Sequence, residues 1–181
     1  MTPAVLDGIQ VNRSSVRLVK DDITDLDLKA FVFYAQHDLA LGSGFGTAIS
    51  TRGGPSVQKE LDEMGPVSTC DVVVSGAGNM KADYIIHAVG PRFREDDTEG
   101  KLRTTMINAL RAAEARGIES VAFPAMGAGY YGVPVDLSAK VMTDVLREYL
   151  SGETCIREAV ICVLDTPQFN SFKAPFESMG K

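Results

Sequence analysis

The chain has 181 residues, of which 45% are apolar and 23% charged, and its net charge is −6. These values are typical of one soluble globular domain. The negative charge argues against a general affinity for nucleic acid, which needs a basic surface to release counterions. The apolar runs are too short to span a bilayer, and no basic-then-apolar leader pattern opens the chain. We therefore expect no membrane partner and a cytoplasmic location.

Short apolar runs bounded by turn residues predict strands along the chain. Residues 1–15 are polar and mixed, which favours an N-terminal arm or an extra strand. The predicted strands lie, in chain order, at 16–19, 28–34, 70–75, 84–89, 120–123 and 159–164. We expect a single domain at 16–176, followed by a tail at 177–181.

Helices are predicted between these strands from apolar spacing and from glycine or proline at segment ends. A helix beginning at 47–51 is interrupted by two glycines, and a second one starts at Pro55. Longer helices are predicted at 98–116 and 136–150, and a short last helix at 170–176 stops around Pro175. This alternation predicts an α/β fold with a mixed, largely parallel sheet. In such sheets, ligands bind outside the carboxyl ends of the strands.

Two glycine-rich turns follow predicted buried strands and precede predicted helices. They cover residues 41–47 and 126–132. Such a turn gathers free backbone N–H groups and a helix N-terminus at one point, which is where proteins bind phosphates. One loop alone is weak evidence, because glycine is needed wherever a turn takes positive φ. Two loops in the same context predict a ligand with two linked phosphates.

Aromatic and acidic residues near these turns have both a structural and a functional interpretation. The segment 21–24 is a polar turn, or it supplies a carboxylate that accepts a hydrogen bond from an exocyclic amine such as that of adenine. Tyr130 and Tyr131 are adjacent in the second loop. One of them is expected to pack inward, while the other lines a pocket and contacts a sugar or a ring. Phe45 is placed similarly in the first loop.

The histidines and cysteines lack the spacing of a metal site, and we predict no metal and no cofactor. We interpret all three cysteines as small buried hydrophobes, and His87 as a core histidine with a satisfied ring nitrogen. His37 is followed by Asp38, a pair that suggests a general base. A polar turn is the simpler interpretation, because adjacent residues on an extended segment point in opposite directions.

Taken in order, three segments of the chain resemble the macrodomain, the ADP-ribose-binding module. They are Asp22-Ile23-Thr24, the strand at 84–91 and the loop at 123–134, and the resemblance covers roughly residues 16–172. The resemblance implies a three-layer α/β/α sandwich with one deep cleft. It also implies that the ligand is ADP-ribose, free or as an ADP-ribosyl modification of another molecule.

The resemblance assigns binding roles to individual residues. Asp22 would accept a hydrogen bond from the adenine amine, Ile23 would contribute backbone contacts, and Leu164 would pack beside the adenine. Tyr131 would lie beside the distal ribose, and Gln36 replaces the asparagine that contacts this ribose in the family. Backbone N–H groups of both loops would wrap the diphosphate. The loop residues expected to bind are Gly42, Ser43, Gly44, Phe45, Gly46 and Thr47, and then Gly127, Ala128, Gly129, Tyr130 and Tyr131.

Two departures from the family leave catalysis open. The segment Phe33-Tyr34-Ala35-Gln36 replaces the Asn-Ala-Ala-Asn of hydrolytic members, and Gly46 replaces an aspartate that positions water or ribose. We predict an ADP-ribose-binding module. The alternative is a hydrolase of ADP-ribosyl links, of O-acetyl-ADP-ribose or of ADP-ribose-1″-phosphate, with Gln36 orienting the ribose and His37 as its base. A third alternative is a cleft for RNA, another nucleotide or a protein partner, and the acidic composition makes RNA the weakest of these; the sequence carries no signal for an oligomeric state.

Overall fold

A seven-stranded sheet forms the centre of the fold in the computed structural model, which describes residues 4–42 and 44–180. Its strands are β1 (Ala4–Val11), β2 (Ser14–Lys20), β3 (Ala30–Tyr34), β4 (Val72–Gly76), β5 (Tyr84–Ala88), β6 (Ser120–Phe123) and β7 (Glu158–Val163). They lie in the order β1-β2-β7-β6-β3-β5-β4. The five inner strands are parallel, and the edge strands β1 and β4 are antiparallel to their neighbours. The predicted mixed, largely parallel sheet is confirmed.

Helices cover both faces of this sheet. They are α1 (Phe45–Gly53), α2 (Pro55–Leu61), α3 (Thr98–Ala115), α4 (Val135–Ser151) and α5 (Thr166–Ser178), with 3-10 helices at Ile23–Asp25 and Gly129–Tyr131. One core packs α3, α4 and α5 against the sheet, and the other packs α1 and α2 against its opposite face. Because side chains alternate along β3, Val32 lies in the first core and Phe33 in the second. The α/β/α sandwich is thus confirmed. None of the helices in the described ranges is long and apolar enough to cross a membrane.

The last helix differs from the prediction that it stops around Pro175. Helix α5 starts at Thr166 and continues past Pro175 to Ser178. Its start is fixed by the Asp165 carboxylate, which accepts a hydrogen bond from the backbone N–H of Gln168 at 2.9 Å. The proline removes one helical hydrogen bond, but the buried rings of Phe172 and Phe176 pack the helix against the sheet on either side of it.

The parallel strands bring their carboxyl ends to one edge of the sheet. The segments that leave β2, β3, β6 and β7 at this edge begin at Asp21, Ala35, Pro124 and Leu164. The polar turn at 21–24 and both glycine-rich loops therefore lie along the same edge, where ligands of parallel sheets bind.

His87, on β5, is fully buried beneath this edge. Its Nε2 atom lies 2.8 Å from Ser75 Oγ, and its Nδ1 atom has no hydrogen-bond partner within the described ranges. Burial lowers the pKa of the imidazole to about 4, because the charged form loses its hydration. The ring also lies edge-on to Phe33, with centroids 6.0 Å apart.

The free energy of unfolding should therefore fall as the pH drops from 6.5, the ordinary histidine pKa, towards about 4. Over this window His87 becomes protonated in the unfolded chain but stays neutral in the native state. Denaturant unfolding of the wild type and of His87→Gln, at neutral pH and at about pH 5, measures this contribution, because all other titrating groups are shared. Equal losses of stability in the two proteins would show that His87 is not responsible.

Candidate ligand-binding site

A cavity of about 370 Å³ opens at the carboxyl edge of the sheet. Its volume lies in the range of small-molecule sites. The cavity is lined by Asp21, Ile23, Val32, Phe33, Tyr34, Gln36, Ala40, Gly44, Phe45, Pro124, Ala125, Gly127, Ala128, Gly129, Tyr130, Tyr131, Cys162, Leu164 and Gln168. The turn after β2 and both glycine-rich loops thus contribute to one cavity.

The first glycine-rich loop meets the cavity where α1 begins. Gly44 and Phe45 are in the lining, and Gly44 precedes the helix with φ 57° and ψ −137°, a conformation that suits glycine. The first turn of a helix has N–H groups without intrahelical acceptors and carries the positive end of the helix dipole. The start of α1 therefore offers an anion site at the cavity.

Other predicted residues of this loop have different positions. Gly42, Gly46 and Thr47 are not in the lining, and Ser43 lies outside the described residues. Gly46 is buried against the backbone of Leu41, so that a Cβ atom there would lie 2.9 Å from Leu41 Cα and 3.1 Å from its carbonyl oxygen. This close approach leaves no room for a side chain at position 46 unless the Leu41 backbone moves.

The second glycine-rich loop supplies another source of N–H groups. Its 3-10 helix, Gly129–Tyr131, begins at the cavity, and the first N–H groups of such a helix have no intrahelical partner. Gly127 has φ 78°, and a Cβ atom there would lie 2.6 Å from Val133 Cγ2. Glycine is therefore required at 127 both for its backbone conformation and for its contact with Val133.

Two pairs of aromatic rings line the part of the cavity at the end of β3. The rings of Phe33 and Phe45 have centroids 6.0 Å apart, and those of Tyr34 and Tyr131 are 4.8 Å apart and edge-on. The phenylalanine pair belongs to the core on the α1 side, and the tyrosine pair belongs to the core on the α3 side. The cavity thus has aromatic walls contributed from both faces of the sheet.

Tyr130 and Tyr131 both line the cavity but differ in exposure. Tyr130 is 77% exposed, whereas Tyr131 is half-buried against Tyr34. The Arg92 guanidinium lies 5.7 and 5.8 Å from their ring centroids, which is cation–π distance. Arg92 follows β5 and reaches the second loop only in the folded chain, so no local sequence pattern indicates this contact.

The Tyr34 hydroxyl forms a hydrogen bond within the protein. It donates a hydrogen bond to the carbonyl oxygen of Pro91, and burial raises its pKa well above the ordinary value for tyrosine. The phenol therefore stays protonated at neutral pH and acts as a fixed wall of the cavity.

The end of the cavity beside β2 and β7 is formed by a different set of residues. Ile23 is buried, whereas Leu164 is 66% exposed and presents an apolar surface. The Cys162 thiol donates to the carbonyl oxygen of Asp21 at 3.3 Å, and burial raises its pKa to about 12, so it remains a thiol. Gln168 Oε1 accepts a hydrogen bond from the backbone N–H of Leu164 at 3.0 Å.

Asp22 lies between two lining residues but is not in the lining itself. Its Oδ1 atom accepts hydrogen bonds from the N–H and hydroxyl of Thr24, at 2.9 and 2.6 Å. Its Oδ2 atom lies 3.0 Å from the Arg52 guanidinium, and the side chain is 37% exposed. Asp22 thus caps the 3-10 helix that carries Ile23, and a ligand amine would share this carboxylate with Thr24 and Arg52.

The two predicted catalytic residues have different surroundings. Gln36 is half-buried and lines the cavity. His37 is exposed and lies outside the lining, with its Nδ1 atom 2.7 Å from the Val67 carbonyl oxygen and its Nε2 atom 3.5 Å from Thr69 Oγ1. The imidazole is therefore bound to the segment that precedes β4.

Charged groups are scarce in this cavity. Asp21 is the only carboxylate among the lining residues that the structure describes. Nor do the described residues form a group of three or more histidine, cysteine or carboxylate side chains that could hold a metal ion.

Cys162 and Gln168 were not among the predicted site residues, and the pairing of Phe33 and Tyr34 with other rings as aromatic walls was not predicted either. Gln168 has a local signal, since Asp165-Thr166-Pro167-Gln168 carries both an N-cap residue and a proline in the first helical turn. The others have no comparable signal, because their place in the cavity follows from strand order.

The family model described as Macro domain matches residues 34–142 of this chain. A protein of Saccharolobus solfataricus is 37% identical over 170 residues, which cover 92% of this chain and 94% of that protein. O-acetyl-ADP-ribose deacetylase 1 of Pantoea vagans is 28% identical over 163 residues, which cover 87% of this chain and 95% of that protein. Among solved structures, the Oceanobacillus iheyensis macrodomain with ADP has the same fold, with a TM-score of 0.93, 21% identity, and coverage of 99% of this chain and 98% of that one.

Proposed function

The chain belongs to the macro domain family, and from that premise we propose that it binds ADP-ribose, either free or attached to another molecule. The observation that carries the proposal is that two sources of backbone N–H groups reach one cavity, at Gly44–Phe45 and at Gly129–Tyr131. Two such sites suit two linked phosphates without a lysine. The fold neighbour from Oceanobacillus iheyensis was solved with ADP, which carries the same diphosphate.

The two ends of the cavity suit the two ends of this ligand. The β2–β7 end offers the apolar surfaces of Ile23 and Leu164 for a purine ring. The β3 end offers the Gln36 amide and the Tyr131 ring for the distal ribose. The diphosphate then lies between the two loops.

Titration calorimetry with ADP-ribose, ADP and AMP tests the proposal. We expect micromolar binding of ADP-ribose and much weaker binding of AMP, since AMP has no second phosphate to occupy the second loop. Mass spectrometry of the recovered ligand reports any turnover. An absence of ADP-ribose binding at millimolar concentration would overturn the proposal.

Hydrolysis at the distal ribose is the second candidate, because a relative from Pantoea vagans is named O-acetyl-ADP-ribose deacetylase 1. In this role Gln36 would orient the ribose and His37 would act as base. The geometry supports binding more than hydrolysis, because the His37 ring lies outside the cavity lining and is bonded to Val67. Release of acetate from O-acetyl-ADP-ribose, lost in both Gln36→Ala and His37→Ala while binding remains, would favour the hydrolase.

Replacing Asp22 by alanine should weaken ADP-ribose binding by about tenfold to a hundredfold, the range for losing a hydrogen bond to a charged group. The variant removes the carboxylate that would accept from adenine, and also the cap that holds Ile23 at the cavity. Calorimetry measures the change in affinity.

Asp25→Ala is the matched control for this variant. Asp25 also pairs with Arg52, at 2.5 Å, but it neither caps the 3-10 helix nor lines the cavity. We expect its effect on ADP-ribose affinity to be less than threefold, in keeping with an exposed ion pair. Equal losses in the two variants would mean that Asp22 acts only through Arg52.

A further inference from the structure

The aromatic walls at the β3 end are not explained by ADP-ribose alone. Phe33, Phe45, Tyr34 and Tyr131 all line the cavity there. Their rings come in one pair from each face of the sheet, with centroids 6.0 and 4.8 Å apart within the pairs. Gln36 is the lining residue at this end that carries an amide.

The position of these rings determines which side chains the distal ribose and its substituents would contact. Because Phe33, Phe45 and Tyr131 line the same end of the cavity, a distal ribose beside Tyr131 would bring the substituent on its anomeric carbon within reach of the Phe33–Phe45 pair. In ADP-ribose that substituent is a hydroxyl group, which loses hydration without a hydrogen-bond partner wherever it contacts a phenyl ring. A flat ring in its place packs against aromatic side chains instead.

We propose that the cavity binds intact nicotinamide adenine dinucleotide, which is ADP-ribose with a planar ring on the anomeric carbon, at least as tightly as ADP-ribose. This inference rests on the proposed function, since it uses the same loops for the diphosphate. The nicotinamide ring lies against Phe33 and Phe45, and its carboxamide is complementary to the Gln36 amide. Asp21, the one carboxylate of the described lining, lies at the opposite, β2–β7 end, so the described lining offers no carboxylate at the β3 end to cleave the glycosidic bond.

Calorimetry with NAD+ and with ADP-ribose on the same protein tests the proposal. We expect the NAD+ dissociation constant to equal or fall below that of ADP-ribose. In Phe45→Leu, which keeps an apolar side chain but removes the ring, the ratio of NAD+ affinity to ADP-ribose affinity should fall by about threefold to tenfold. Phe93→Leu makes the same chemical change at an exposed ring outside the cavity lining and should leave that ratio unchanged.

A second measurement keeps the test independent of the folding of the variant. In saturation-transfer NMR on the wild type, the protein protons are irradiated and their saturation passes to bound ligand. We expect it to reach the nicotinamide protons of NAD+ as strongly as the adenine protons. ADP-ribose that binds while NAD+ binds tenfold more weakly, or nicotinamide protons that receive no transfer, would overturn this inference and leave the proposed function intact. Failure of both ligands to bind would overturn both.

Discussion

Replacing Gly46 by aspartate is expected to destabilise the fold by about 3 kcal/mol and to abolish ADP-ribose binding. The new Cβ atom would lie 2.9 Å from Leu41 Cα and 3.1 Å from the Leu41 carbonyl oxygen. These are backbone atoms, so relief requires that the first loop move away from the start of α1. The same movement removes the N–H groups that we propose bind the diphosphate. Denaturant unfolding and calorimetry measure the two effects.

Gly42→Ala is the control for this substitution, because it adds a Cβ atom in the same loop. At position 42 that atom has no neighbour within 4 Å among the described residues, and no positive φ is required. We expect a change in stability within about 0.5 kcal/mol. If Gly46→Asp were as stable as Gly42→Ala, the close packing against Leu41 could not be the reason for glycine at 46.

The strands of this fold could be predicted from sequence because their signal is local. The predicted strands at 120–123 and 84–89 are apolar apart from Ser120 and His87 and are followed by proline or glycine, and the structure places β6 and β5 there. Such runs report burial on both faces, which is a property of inner parallel strands. Strand order then brings the predicted loops to one edge without further information.

Side-chain partners distant in sequence could not be predicted. The Asp22 carboxylate is shared with Arg52, and the His37 ring is bonded to the Val67 carbonyl, 30 residues away. Periodicity and spacing carry no information about such contacts, because they depend on how α1 and the segment before β4 pack on the sheet. Candidate residues could therefore be chosen from sequence by their chemical type. Which of them face the cavity depends on tertiary packing.

The N-cap at Asp165 is a local sequence signal that determines whether Gln168 belongs to the candidate site. The prediction placed this helix at 170–176, so Gln168 remained in a loop with no role. The cap at Asp165 starts the helix four residues earlier and brings Gln168 to the cavity, where it accepts from the Leu164 N–H. An error of one helical turn in an element boundary thus removed one residue from the candidate site.

Gly127→Ala should have the other large effect, about 3 kcal/mol of lost stability and at least a hundredfold loss of ADP-ribose affinity. Two costs combine at this position. The backbone has φ 78°, where an L side chain costs roughly 1–2 kcal/mol. The added Cβ atom would also lie 2.6 Å from Val133 Cγ2 and 3.3 Å from Tyr34 Oη, and overpacking of this kind costs about 1–3 kcal/mol.

Gly129→Ala separates these two costs. Its φ of 79° matches that of Gly127, but its Cβ atom would have no neighbour within 4 Å in the described part of the chain. This variant should therefore lose only the backbone cost, and the difference between the two alanine variants measures the clash with Val133. The double variant Gly127→Ala/Val133→Ala should lose less stability than the sum of its single variants, because removing the valine methyl groups makes room for the new atom. Strict additivity, or a Gly129→Ala variant as unstable as Gly127→Ala, would mean that strain alone keeps glycine at 127 and that the loop is not held in place by its packing on Val133.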